Sequence, residues 1–216
     1  MFETAVGERI RSTAWGPKFD DDIVASTLDR CGIAYEPLGN EVAEVTAAHL
    51  AAGEVVGWFQ GPTEGGPRAL GGRSILADPR SVDLRDHVNR DVKRRETWRP
   101  FAPSMLSSEA ERFVDRPWDA DFMIVAYLAS EQARTEVPGV VHVDGTMRPQ
   151  FVDDDADTPY ARVLGVFKEH TGAGGLLNTS FNNEAEPIVS SPLDAIRTFF
   201  STPLDVLAIG GCLVRK

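Results

Sequence analysis

Between Arg68 and Arg99 the chain carries nine basic residues: Arg68, Arg73, Arg80, Arg85, Arg90, Lys93, Arg94, Arg95 and Arg99. Five acids share that window, whereas the whole chain has a formal net charge of −11. A local excess of cations in an acidic protein suits a small anion held by charge-assisted, often bidentate contacts. For any single arginine here the ordinary reading is a solvated helix face laced with ion pairs. Three positions depart from it. Arg68 sits in a Gly/Pro-rich turn, Arg73 opens an apolar run, and Arg99 lies between Trp98 and Pro100.

Three further stretches could do chemistry. Glu64 to Arg73, EGGPRALGGR, is glycine-dense. Glycine lets backbone N–H groups approach an anion, and a tight structural turn is the rival reading. The stretch has neither the GK[ST] ending of a P-loop nor the GxGxxG dinucleotide pattern. Asn178-Thr179-Ser180-Phe181-Asn182 places Asn178, Ser180 and Asn182 on one face if the strand continues, as ligand contacts or as a turn binding its own backbone. In HVDGTMR, a strand would turn His142 and Asp144 the same way, although a lone His is more often structural, and no Ser, Cys or second His completes a hydrolase set. Asp153-Asp154-Asp155 reads as a solvated loop; it lacks the Gly and terminal Glu of a calcium loop.

The elements that must position these residues follow from periodicity and caps. Residues 1–20 read as an extended arm broken at Gly16-Pro17, and residues 21–216 as the folded domain. A helix from Asp21 shows Ile23, Thr27, Leu28 and Cys31 on one side and stops at Gly32. A second covers 41–52, before a buried strand at 55–59 and a short strand at 74–77. Pro79 and Ser81 introduce a helix bearing Leu84, Val88 and Val92, whose acids and late bases complement its dipole. Residues 101–106 are extended, and Ser108 with Glu111 suggests a capping box. Strands are expected at 122–128 and 140–152, a helix at 160–170 stopped by Gly172, and a strand at 175–181. Ser191-Pro192-Leu193-Asp194 starts a helix to about 200, and one apolar strand spans 206–214. No repeat is visible, and 153–157 and the arm are the expected flexible parts. The class is α/β or α+β with a mixed sheet.

Composition narrows the function classes. The chain is 216 residues, 42% hydrophobic and 25% charged, ordinary for a globular protein. No apolar run approaches the ~20 residues that span a bilayer, and the N-terminus lacks a signal-peptide layout, so the expected setting is the cytoplasm with no membrane partner. Cys31 and Cys212 are far apart, without zinc-ligand spacing, and read as small buried hydrophobes. The acidic balance argues against nucleic acid.

The motifs taken together resemble a family. GWFQG, GPRALG-x-RSILADPR, K-x-R-E-x-W/F-RPFAPS, HVDGT-x-R, LLNTSFN and EPIV-x-SP-x-DAI occur in that order between about Trp15 and Lys216, and together are similar to the C-terminal domain of the NodU/CmcH carbamoyltransferases. The resemblance implies a YrdC-like fold: a twisted mixed sheet with flanking helices around a concave basic cavity. It also implies binding of ATP, with Mg²⁺ carried on its phosphates, and of carbamoyl phosphate. The product would be carbamoyl-adenylate, with release of pyrophosphate and phosphate. An actin-like-fold transferase domain or subunit would be the partner, passing the carbamoyl group to a small-molecule hydroxyl, as in antibiotic biosynthesis. The implied site is Arg68, Lys93, Arg99 and Arg148 as catalytic and phosphate-binding cations, with Ser180 and Asn182 as nucleotide- or carbamoyl-binding groups and no protein-held metal. Gly65, Pro62 and Ala185 stand where the family usually has an aromatic residue, an arginine and a glycine. The metal-binding transferase domain is not in this sequence, so the chain reads as an excised domain or one subunit of a split enzyme. The alternatives are a non-catalytic nucleotide- or anion-binding module regulating a carbamoyltransferase partner, and a nucleic-acid-binding protein.

Overall fold

The computed structural model describes residue 10 and residues 12–216. Ten strands and seven α-helices follow one another as α1 (Asp21–Arg30), β1 (Glu36–Pro37), α2 (Val42–Ala51), β2 (Val56–Phe59), β3 (Arg73–Ala77), α3 (Val82–His87), β4 (Ala102–Leu106), α4 (Ala110–Phe113), β5 (Tyr127–Leu128), α5 (Glu131–Glu136), β6 (Thr146–Met147), β7 (Gln150–Val152), α6 (Pro159–Thr171), β8 (Gly175–Ser180), α7 (Pro192–Ser201), β9 (Val206–Ile209) and β10 (Cys212–Arg215). Eight strands form one sheet in the order β1-β10-β9-β2-β3-β8-β4-β7, and β5 pairs with β6 apart from it. The β2–β9 and β4–β7 pairings are parallel and the others antiparallel, so the sheet is mixed as expected.

Both faces are covered, which is why β2, Val-Gly-Trp-Phe, is buried along its whole length. Trp58 packs toward Tyr160 of α6, with ring centres 6.4 Å apart. The neighbouring Gly57 faces the other way, where a Cβ would meet Phe181 at 2.7 Å and Leu204 at 3.3 Å. Helix α6 starts as its sequence dictates: Thr158 caps Ala161 N, Pro159 takes the first turn, and Gly172 closes it in the left-handed region. In α7, Ser191 and Asp194 form the reciprocal capping box.

Several elements differ from expectation. Helix α1 buries Val24 and Leu28, while Ile23 and Cys31 are exposed; the stripe was read one residue off. Ser108 caps nothing: its N–H and hydroxyl go to Asp154, and a 3₁₀ turn over Ser107–Glu109 leads into α4 without a side-chain cap. These contacts also pin the 153–157 loop. The long strands at 122–128 and 140–152 reduce to β5, β6 and β7, because Met123 and Gly145 take positive φ and Pro138–Val140 is a 3₁₀ turn. His142 and Asp144 therefore lie in a turn. The strand over 206–214 is a hairpin, folded at Gly210, whose φ is +51°. The two-residue strand β1 had no sequence signal. Of the arm, residues 1–9 and 11 lie outside the described residues. Thr13 to Pro17 run along the glycine-rich loop through Gly65 N to Thr13 O (2.8 Å), Gly16 N to Thr63 O (2.9 Å) and Thr63 N to Pro17 O (2.9 Å). No helix among the described residues is long and apolar enough to cross a membrane.

Candidate functional site

One end of the sheet gathers the loops that carry the candidate residues. Register sets it: Ser74 pairs with Ser180, Ala102 with Asn178, and Ser104 with Gln150. The 60–72 loop, the 93–101 loop, the end of β8 and the start of β7 meet there.

Lys93, Ser180 and Asn182 are in direct contact. After α3 the helix widens into a π-helical turn, Val88–Val92, and Lys93 N bonds Val88 O at 2.8 Å. That turn leads into Lys93, whose side chain is buried. Its Nζ donates toward Ser180 O (2.8 Å), Ser180 Oγ (3.2 Å), Asn182 O (2.8 Å) and Asn182 Oδ1 (2.7 Å). Four acceptors share three N–H bonds, and all are neutral. No carboxylate pairs with Lys93 among the described residues. Burial, then the nearby Arg95 charge, pulls its pKa down to about 7. Ser180 Oγ donates to Asn182 Oδ1 (2.7 Å), and Asn182 Nδ2 to Glu186 O (2.6 Å).

Fully buried Asn89 organises the next loop. Its Oδ1 accepts from Arg95 Nε (2.7 Å), its carbonyl from Arg95 N (2.9 Å), and its Nδ2 donates to Thr97 O (3.1 Å) and Arg99 O (2.9 Å). Arg95 lies over the Phe101 ring, 4.7 Å from its centre. Burial, then the Arg99 charge, lowers its pKa, so Arg95 lies within electrostatic range of both Lys93 and Arg99. Arg95 stands beside these candidates although sequence reasoning did not select it. Its signal was the K-x-R spacing to Lys93, read instead as helix-dipole complement. Arg99 is exposed and paired with Glu96 at 2.8 Å, so it is not a desolvated clamp in this state.

Arg148 and Arg68 form a second pair. Arg148 Nη1 donates to Met123 O (2.8 Å); burial, then the charge of Arg68, lowers its pKa. Arg68 is exposed on the 60–72 loop, but the loop is anchored directly behind it. Asn178 Nδ2 donates to Ala69 O (3.0 Å) and Gln150 Nε2 to Leu70 O (2.8 Å). Asn178 also meets Ser104 Oγ and Tyr160 OH, each at 2.9 Å. Asn178 thus belongs to a buried network under the loop, and Ser180 and Asn182 to Lys93. No His–Asp pair forms: Asp144 Oδ1 accepts from Thr146 N (2.9 Å) and Oγ1 (2.7 Å), and His142 Nδ1 lies 3.1 Å from Thr146 Oγ1.

The glycine-rich turn binds its own chain. The Glu64 carboxylate accepts from the N–H groups of Leu70 (3.0 Å), Gly72 and Arg73 (3.2 Å), filling the nest that an outside anion would need. Burial outweighs these bonds and raises its pKa. Arg73 is fully buried: Nη1 donates to the carbonyls of Gln60 (2.8 Å), Gly61 (3.1 Å) and Gly72 (2.9 Å), Nη2 reaches Pro17 O (3.4 Å), and the guanidinium lies 3.7 Å from the Phe59 ring centre. Its pKa is lowered to about 10 by burial, against the Glu64 charge. Arg73 is therefore a structural tie. Gly71, at φ +111°, passes so close to Tyr160 that a Cβ would lie 2.2 Å from the ring.

A cavity of about 450 Å³ lies along this loop, lined by Glu64, Gly71, Phe122, Phe151 and Tyr160 among others; none of the six candidate residues lines it. Among the described residues no group of three or more His, Cys, Asp or Glu is placed to hold a metal ion.

The family model for the carbamoyltransferase C-terminus matches residues 47–216. The nodulation protein NolNO of Sinorhizobium fredii is 40% identical over 99% of this chain and 32% of its own length. The 3'-hydroxymethylcephem-O-carbamoyltransferase of Streptomyces clavuligerus is 38% identical over 77% of this chain and 32% of its own. The chain thus spans about a third of these relatives. Among solved structures, full-length HypF in its phosphate- and nucleotide-bound form superposes with TM-score 0.56 at 16% identity, over 80% of this chain and 25% of that one. The H234A/Y235A form of P. abyssi Sua5 gives 0.57 at 12%, over 82% and 48%. At such identities the likeness is one of fold, and that fold is YrdC-like, as the sequence motifs implied.

Proposed function

The chain belongs to the carbamoyltransferase C-terminal family, and on that premise we propose that its cationic sheet end binds ATP and carbamoyl phosphate and forms carbamoyl-adenylate. The observation that carries this reading is Lys93, a buried ammonium with neutral partners only, at the end of β8 and beside Arg95. A buried cation without a counter-charge is costly, and an arriving phosphate supplies one. Arg95 and Arg99 add positive charge in the loop after Lys93, and Arg68 and Arg148 form a second cationic pair.

Carbamoyl phosphate gives carbamate and phosphate by hydrolysis. A carbamate oxygen then attacks the α-phosphorus of ATP, the bond to the β-phosphate oxygen breaks, and pyrophosphate leaves. No protein nucleophile is required. Lys93 and the arginines offset the charge that grows on the transferring phosphoryl group and the leaving group. Ser180 and Asn182 hold the Lys93 ammonium and present a hydroxyl and an amide to the ligand. Mg²⁺ fits as a passenger on the ATP phosphates, where it would neutralise charge. The cytoplasm, where ATP is available, is the proposed setting. Transfer to a small-molecule hydroxyl, of the kind named for the cephem relative, is the proposed task of an actin-like-fold domain or subunit.

The test is direct. Given ATP, Mg²⁺ and carbamoyl phosphate, the chain should release pyrophosphate, or exchange labelled pyrophosphate into ATP, only when all three are present. ATP binding with no pyrophosphate chemistry would instead favour a nucleotide-binding regulatory module, with the altered rim at Pro62 and Gly65 examined first. RNA binding with a steep salt dependence would point to the nucleic-acid reading.

A further inference from the structure

Trp98 is 71% exposed, yet the backbone on both sides of it is hydrogen-bonded. Fully buried Asn89 donates to the carbonyls on both sides of it, Thr97 O and Arg99 O, and Arg99 N returns to Glu96 O at 3.2 Å. The indole therefore stands in water on a loop that is tied down. Its neighbours Glu96, Thr97, Arg99 and Pro100 are exposed, and none of the four is a large hydrophobic residue. Within its own loop Trp98 is therefore the one large exposed apolar side chain. Its surroundings are cationic instead. Arg95 shares the Asn89 anchor, Arg99 is adjacent, and Lys93 lies two residues before Arg95.

A flat π-surface beside clustered cations matches a ligand with an anionic chain at one end and a flat ring at the other. We propose that Trp98 is the stacking platform for the nucleobase of the nucleotide whose phosphates occupy the Lys93–Arg95–Arg99 cluster. This deepens the reading above and rests on it. Stacking accepts any base, so Trp98 supplies affinity for the base without choosing adenine over guanine.

The experiment compares ATP with inorganic tripolyphosphate, which keeps the phosphate chain and lacks the base. Binding of each is titrated to wild type, Trp98→Ala and Trp98→Phe, with melting curves confirming equal folding. Trp98→Ala should weaken ATP roughly tenfold to a hundredfold and leave tripolyphosphate within about twofold. Trp98→Phe should retain most of the ATP affinity. ATP should quench indole fluorescence in wild type, and that quenching should vanish in Trp98→Ala. Equal weakening of both ligands, or no change for ATP, overturns the platform while the anion site stands. Wild-type protein that binds neither ligand overturns the parent reading and the platform with it.

Discussion

The glycine-rich turn and the end of β8 both bury charge at the same end of the sheet, and they resolve it in opposite ways. In the turn each buried charge has a partner within the chain. Glu64 takes three backbone N–H groups, Arg73 covers four carbonyls and an aromatic face, and the two charges lie close enough to offset each other. At β8, Lys93 is buried among neutral oxygens, with Arg95 nearby. A buried charge that is satisfied internally holds a fold together; one left without its counter-charge marks where a ligand of opposite sign would supply it.

The largest effect that could break this contrast comes from the turn. Arg73→Met leaves Glu64 buried without its offsetting charge and takes the guanidinium donor from the Gln60 and Gly61 carbonyls. It should cost about 3–5 kcal/mol of stability, read by urea unfolding. Loss of pyrophosphate chemistry at unchanged stability would instead place Arg73 in the site. Lys93→Met should do the reverse, lowering pyrophosphate exchange by on the order of 10²–10³-fold with a smaller stability loss than Arg73→Met, because removing a buried charge that has no counter-charge offsets the oxygens left without their donor. A collapse in stability with no specific kinetic loss would make Lys93 a structural residue like Arg73.

Arg148→Lys should cost about 1.5–3 kcal/mol in carbamoyl phosphate binding, about ten- to a hundredfold, because an ammonium cannot reproduce the planar fork. Titration at fixed salt checks it, and an affinity within twofold of wild type would remove Arg148 from the site. The smallest effect concerns protons. The folded pKa of Lys93, about 7, is below the ordinary lysine value of 10.5. Between those values the unfolded chain binds more protons, so this residue makes ligand-free stability rise with pH across that window. A bound anion restores the charged form, so MgATP binding at about pH 8 should take up close to one proton through Lys93. Calorimetry in buffers of different ionisation enthalpy reads that uptake, and Lys93→Met should abolish it. Equal uptake by both proteins would unseat Lys93 as the anion's partner.

Arg73 and Lys93 also show what could be read from residues alone. Elements with local signals were legible: β2 and β8 as apolar runs, α6 from its glycine stop, α7 from its capping box. The six candidate residues came from spacing and from a family resemblance, and Lys93, Ser180 and Asn182 do meet although 87 and 89 positions separate the lysine from the other two. The partner of each charge was not legible, because it depends on side chains distant in sequence. Arg73 and Arg68 look alike in EGGPRALGGR; only the fold turns one inward onto carbonyls and leaves the other outside. Glycine density suggested an open anion nest, and Glu64, six residues before Leu70, fills it. Arg95 was overlooked because a base after a helix has an ordinary explanation until its anchor on Asn89 is visible.

The strand order carries a consequence for synthesis. The last two strands of the chain, β9 and β10, sit between its first two, β1 and β2, so the sheet stays divided until residues 206–215 have left the ribosome. Until then β2 presents a bare, fully apolar edge, open to pairing with other nascent chains. A stop codon or frameshift only a few residues upstream of Val206 would remove β9 and β10 and leave that edge exposed permanently. Such products should appear in inclusion bodies, even though every candidate site residue had already been translated.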